Sequence, residues 1–198
     1  MGRFNRIFIL LIAFFIIYGC TLKAPYMVNS DYSKNGTKHI AVLPVRNKTD
    51  NTKAGQILRE MVLNELYFKG YPKMPLNVID ERLSIIYKEN INLKIATIPP
   101  KTIGELLGVD AVLYVTIEQC STSFAFMYAP THVSAFFELR SAKTGETLWS
   151  AQHKTIKRNY GISQEQLQME SCQVYEPAMQ EVVSTAMKTL PDGPDSVS

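Results

Sequence analysis

Apolar and polar positions divide this chain into segments of different period. Ile7 to Tyr18 is an almost unbroken apolar run, preceded by Arg3 and Arg6 and closed by Gly19-Cys20. It is well short of the roughly 20 residues that a membrane-spanning helix needs. Thr21 to Lys38 is polar, carries Pro25 and Gly36, and shows no sustained period, so it reads as a linker. His39-Ile-Ala-Val-Leu-Pro44 lacks alternation and predicts a strand buried on both faces. A helix is expected from about Thr52 to Lys69, with Ile57, Leu58, Met61, Val62 and Leu66 inward and Arg59, Glu60 and Glu65 outward. Asn51 or Thr52 can cap it, and Gly70 lies where a C-cap glycine belongs.

Leu76 to Asp80 reads as a second strand, followed by a short helix with Leu83, Ile86 and Tyr87 on its apolar side. Ile91 to Ile98 is irregular. Pro99-Pro100 opens a helix over Lys101–Leu107, and Gly108 stops it. Asp110 to Ile117 is the strongest strand pattern and is placed at the sheet centre. Val133–Arg140 and Thr147–Gln152 are strands joined by a glycine-containing turn, Ala142 to Gly145. A last helix is expected from about Val174 to Leu190, broken by Pro191 and Pro194. The order predicts an α/β domain over residues 39–190, a single mixed sheet of parallel strands plus an antiparallel hairpin, flanked by helices. Residues 191–198 are expected to be a disordered tail.

The N-terminal pattern has the architecture of a secretory signal: a charged start, a short apolar core and a small residue before the cut. Ile17, Tyr18, Gly19 and Cys20 resemble a bacterial lipobox. That resemblance implies a signal peptide over 1–19 and lipid on Cys20, with 20–38 as the lipidated linker. Several acyl chains on one cysteine satisfy the rule that one chain anchors marginally. Thr21 then implies sorting to the outer membrane. The alternative is a plain signal peptide or an uncleaved anchor, with Cys20 incidental.

Composition narrows the function. The hydrophobic fraction is 46%, enough for a core. The net charge of +3 shrinks when Arg3 and Arg6 leave, since Lys+Arg falls from 21 to 19 against 18 acids. A near-neutral domain argues against nucleic acid, which needs a concentrated basic face. Cys120 and Cys172 form a candidate disulfide in an oxidising compartment, worth on the order of 4 kcal/mol for a loop of about 50 residues. The alternative is two separate, inert thiols. His39, His132 and His153 are scattered and lack the spacing that places two metal ligands on one helix face, so no metal and no cofactor is expected. No serine elbow or phosphate loop supports catalysis. Phe124, Phe126 and Tyr128 alternate with Ser123, Ala125 and Met127, as a pore strand would over about ten residues. Pro130 cuts the alternation short, so a half-buried strand extension or a protein-contact loop is the better reading, and these aromatics are the candidate partner surface.

Three stretches carry a further resemblance. His39 to Pro44 followed by Asn47-Lys-Thr49, Leu107-Gly-Val-Asp-Ala-Val-Leu-Tyr114, and Glu138-Leu-Arg-Ser-Ala-Lys-Thr-Gly-Glu-Thr-Leu-Trp149 resemble segments of the CsgG, LpoB and TolB N-terminal group. Together with the signal they look most like a Gram-negative lipoprotein family without an assigned function, distantly akin to CsgG. The hairpin departs from the pattern at Ser141-Ala142, where relatives often carry Asp. The resemblance implies a periplasm-facing, non-enzymatic outer-membrane lipoprotein serving envelope assembly or export. Its partners would be the membrane, through lipid on Cys20, and envelope proteins, other lipoproteins or further copies of itself among them. A CsgG-like secretion pore subunit and a periplasmic hydrolase are the alternatives.

Overall fold

A computed structural model describes residues 25–30, 32, 36–89 and 98–196; side chains at 87–89 and 170–173 lie outside that description. The strands are β1 (Tyr26–Val28), β2 (Ile40–Val42), β3 (Arg46–Asn47), β4 (Ala111–Thr122), β5 (Tyr128–Ser141) and β6 (Thr147–Tyr160). The helices are α1 (Ala54–Phe68), α2 (Leu76–Glu89), α3 (Pro100–Leu107) and α4 (Gln164–Met187). They build one six-stranded sheet in the order β1-β6-β5-β4-β2, with β3 also pairing β4. β2 and β3 run parallel to β4; every other pairing is antiparallel. The expected mixed α/β sheet is therefore present, with β5 rather than β4 as its middle strand.

Alternation divides the sheet into two faces. Val115, Ile117, Val133, Ala135, Phe137, Leu139, Trp149 and Ala151 are buried against α1 and α4 in the main core. A second cluster joins Leu43, Ile79, Leu83, Ile103, Leu107 and Val112 under α2 and α3, at the β2 end. Farther along, side chains of β5 and β6 on that second face are half-buried or exposed apart from Ser134, and no described helix covers them.

Four local expectations differ. Leu76–Asp80 is the start of α2, not a strand. Val78 and Ile79 donate backbone hydrogen bonds to the Pro75 carbonyl, and Ile79 and Leu83 bury one helical face. Arg59 points inward, because its guanidinium meets the Val42 carbonyl at 2.9 and 3.1 Å and Asp80 at 2.8 Å. The linker contains β1, paired to β6. The expected tail is held through Ser196: Gly193 N–H donates to the Lys69 carbonyl and Asp195 N–H to that of Gly70. This approach is close enough that a Cβ on Gly70 or Gly193 would overlap the facing backbone.

Candidate partner-binding surface

The β4–β5 hairpin builds the end of the sheet farthest from β2. Ala125 and Tyr128 exchange backbone hydrogen bonds of 2.7 and 2.8 Å, so Phe126 and Met127 form the turn. Phe126 takes φ 38°, a left-handed conformation that costs a non-glycine residue roughly 1–2 kcal/mol. It is 95% exposed. β6 ends beside this turn: Gly161 N–H donates to the Met127 carbonyl at 3.2 Å, and the Tyr128 and Tyr160 rings lie 5.1 Å apart. Ile162 follows, 89% exposed. Ser163 Oγ then accepts from Gln166 N–H at 3.2 Å while Gln166 Oε1 accepts from Ile162 N–H, a reciprocal cap that starts α4.

Here the usual burial pattern is inverted. The residues facing α4 include Thr122, Thr131, Thr155 and Asn159, of which Thr131, Thr155 and Asn159 are buried. Their polar atoms are satisfied: Thr122 Oγ1 bonds Thr131 and the Tyr175 hydroxyl at 2.8 Å, and Asn159 Nδ2 donates to the Ala129 carbonyl at 2.9 Å. Thr155 donates to Glu181 at 2.8 Å, and Lys157 pairs with the same carboxylate. Those two bonds hold the Glu181 carboxyl below its ordinary range. Ile156, Tyr160, Phe124 and Met127 are exposed instead.

Of the three aromatics singled out from sequence, Phe124 and Phe126 are exposed on this hairpin, whereas Tyr128 is half-buried on β5 against Tyr160. Tyr160 and Ile162 belong to the same surface and escaped sequence reasoning; the alternation of Ile156, Arg158 and Tyr160 was the available signal. Cys20 lies outside the described residues. Cys120 is buried on β4 and has no disulfide partner among the described residues. Burial raises its pKa, and a 3.9 Å contact from Asn51 Nδ2 works the other way. The Cys172 side chain lies outside the described residues, so its pairing with Cys120 remains an expectation.

The three histidines are far apart in role. His39 stands 3.6 Å from Asp110 beside the backbone turn, His132 lies on β5 and His153 on β6. Burial lowers the His153 pKa, against the pull of Glu181. Among the described residues no cluster of His, Cys, Asp or Glu could hold a metal ion, and no helix is long and apolar enough to cross a membrane.

The second, uncovered sheet face is polar and ordered by its own contacts. Arg140 meets Glu138 at 2.9 Å and lies over the Tyr114 ring at 5.4 Å. Thr147 donates to Glu138 at 2.7 Å, and Gln152 to Glu118 at 2.6 Å. These pairs hold a flat array across β4, β5 and β6 in which Phe136 is half-buried.

Comparison with known proteins places the chain. It is 28% identical over 131 residues to "Putative lipoprotein NMB1124/NMB1162" of Neisseria meningitidis serogroup B, covering 65% of this chain and 59% of that relative's length. The chain thus aligns with less than two thirds of that relative. The crystal structure of lipoprotein GNA1162 from Neisseria meningitidis matches with a TM-score of 0.55 and 25% identity, over 69% of this chain and 94% of that one. The LpoB C-terminal domain of Salmonella enterica gives a TM-score of 0.42 at 17% identity, over 60% and 83%. The resemblance to CsgG and TolB rests on the sequence segments alone. A model of the family described as "Putative lipoprotein GNA1162-like" matches residues 28–196, and the chain belongs to that family.

Proposed function

We propose that this protein is an outer-membrane lipoprotein, anchored through lipid on Cys20 and facing the periplasm. In it the domain acts as a non-enzymatic accessory or scaffold in envelope assembly or export. Residues 1–19 are removed as the signal peptide, and the segment 20–38 joins the acylated cysteine to the domain. Membership of a family described as lipoproteins supports the anchor.

The observation that carries the scaffold reading is the uncovered face of β4, β5 and β6. Polar and charged groups on it bond to one another rather than converging on a cleft, as in Arg140–Glu138 and Gln152–Glu118. A flat, ordered polar face with a half-buried aromatic suits a protein contact better than a reaction, because catalysis needs groups convergent on one reacting atom. Envelope proteins are the partners, other lipoproteins or further copies of this chain included.

A photo-cross-linking residue at Phe136 or Gln152 tests this in cells. Discrete protein adducts are expected from both positions. Adducts from neither would remove the scaffold reading. Cys20→Ala should release the domain from the membrane fraction; retention at the wild-type level would remove the anchor.

A further inference from the structure

We infer that the β4–β5 hairpin end, with Phe126 and Ile162 at its tip, rests in the lipid surface beside the anchor, so that the domain lies tilted on the membrane. The inference deepens the reading above and rests on lipid at Cys20.

Three observations lead here. The first is chain direction. β1 runs antiparallel to β6, with Tyr26 opposite Ala151 and Val28 opposite Trp149. The chain N-terminal to Tyr26 therefore leaves β1 toward Tyr160, the same end as the hairpin tip. The second is the pattern of β6. Ile156 and Tyr160 face outward and are exposed, while Thr155 and Asn159 face inward, buried with their hydrogen bonds made. A water-facing strand places apolar side chains inward at such positions. The third is composition. Exposed Lys154 and Arg158 alternate with Ile156 and Tyr160 along one side of β6. Cations among apolar and tyrosine side chains suit an interface with anionic headgroups below and acyl chains above. Glu165 stands nearby, in the first turn of α4, where the helix N-terminus favours an acid.

Tether length adds a geometric bound. Tyr26 follows Cys20 by six positions, a reach of at most about 20 Å at full extension. Tyr160 follows Ala151 by nine positions along β6, a distance of about 30 Å. If the strands stood along the membrane normal with the tip down, the tip would pass about 10 Å beyond the plane of the anchor. Placing both at the surface requires the strands to lean at least about 50° from the normal. Leaning brings the β1 edge toward the bilayer as well, and Tyr26 and Met27 are both exposed there.

The test uses the full, acylated lipoprotein reconstituted in phosphatidylethanolamine–phosphatidylglycerol vesicles, with or without brominated acyl chains. Trp149 is the sole tryptophan and is buried, so the wild type gives the background emission to subtract in each vesicle type. Phe126→Trp and, independently, Ile162→Trp should lose most of the added emission in brominated vesicles. Lys143→Trp, at the opposite end of the sheet, should keep it. Equal emission from the two hairpin-end variants in both vesicle types, with the protein still bound, overturns the inference and leaves the anchor standing. Loss at Lys143→Trp instead overturns it by reversing the orientation. Absence of acyl mass on Cys20 overturns anchor and inference together. A photo-cross-linker at Phe126 that captures protein and no lipid overturns it in favour of a protein contact.

Discussion

Two hairpins close the same sheet and they are built for different surroundings. The β5–β6 turn, at Ala142 to Glu146, is made for water. Ser141 Oγ accepts from the N–H groups of Lys143 and Thr144 at 3.2 Å, Thr144 bonds Glu146, and glycine takes the left-handed position at Gly145. Ala142 packs on Gly104 of α3, where a Cβ would overlap it, and its N–H donates to the Asp110 carbonyl at 2.8 Å. The β4–β5 turn has none of this polar dressing. It puts phenylalanine in the left-handed position and leaves it almost fully exposed. A solvent-facing turn gains nothing from that choice. The contrast teaches that turn chemistry reports what a turn faces as well as how it bends.

The largest expected effect lies at the polar end. The Asp110 carboxylate accepts from the backbone N–H of Lys38 and His39, both at 3.0 Å. Burial alone would raise its pKa, but those two bonds, with His39 and Lys143 nearby, bring it below the ordinary value. Asp110→Ala should cost about 1–2 kcal/mol near neutral pH, the range for hydrogen bonds to a charged group discounted for partial exposure. Because the folded pKa is depressed, this stability is present above the unfolded value of about 3.9 and is lost as pH falls through the folded pKa. Urea melts of both proteins from neutral to acid should therefore converge. A difference that stays constant with pH would show that the carboxylate charge is not what holds the backbone at Lys38 and His39. Next in size, Gly145→Ala places a Cβ at φ 76° and should cost about 1 kcal/mol in the same melts. No change would mean that the turn reshapes freely and that the polar end is less constrained than its hydrogen bonds suggest.

How much of this was legible beforehand follows from the same two ends. The polar hairpin was readable because turn chemistry is local: Thr144-Gly145 sits between two apolar-patterned strands. α3 and its Gly108 stop were readable for the same reason. α2 was misread because Leu76, Val78 and Ile79 are strand formers in a short run. Pro75 and the spacing of Ile79, Leu83 and Ile86 pointed to a helix instead. The inward turn of Arg59 was hidden, since its partners are a carbonyl at the end of β2 and a carboxylate on α2, both distant in sequence. The outer halves of β5 and β6 escaped because several of their inward residues are polar, Thr131, Thr155 and Asn159 among them, so periodicity placed no core there. The aromatics at Phe124 and Phe126 were legible from their alternation with Ser123, Ala125 and Met127 before Pro130. Nothing in the sequence tied them to Tyr160 and Ile162, because that link is a strand pairing.

The smallest effect separates folding from function most cleanly. Phe126→Gly removes the steric cost of a left-handed phenylalanine, roughly 1–2 kcal/mol. It also frees the unfolded chain, a penalty of about 0.5–1 kcal/mol. Burial contributes little to the balance, since the ring is almost entirely in solvent. The domain should come out more stable by about 0.5 kcal/mol, at the edge of what chemical melts resolve. Gly145→Ala and Phe126→Gly thus move stability in opposite directions at two turns of one sheet. If Phe126→Gly instead destabilises by more than about 1 kcal/mol, the ring supports the fold and its exposure is not evidence of an outside contact. If stability rises as expected while the acylated protein gives weaker lipid cross-linking from a probe at Ile162, the phenylalanine is retained at a cost in stability for what it touches outside the domain.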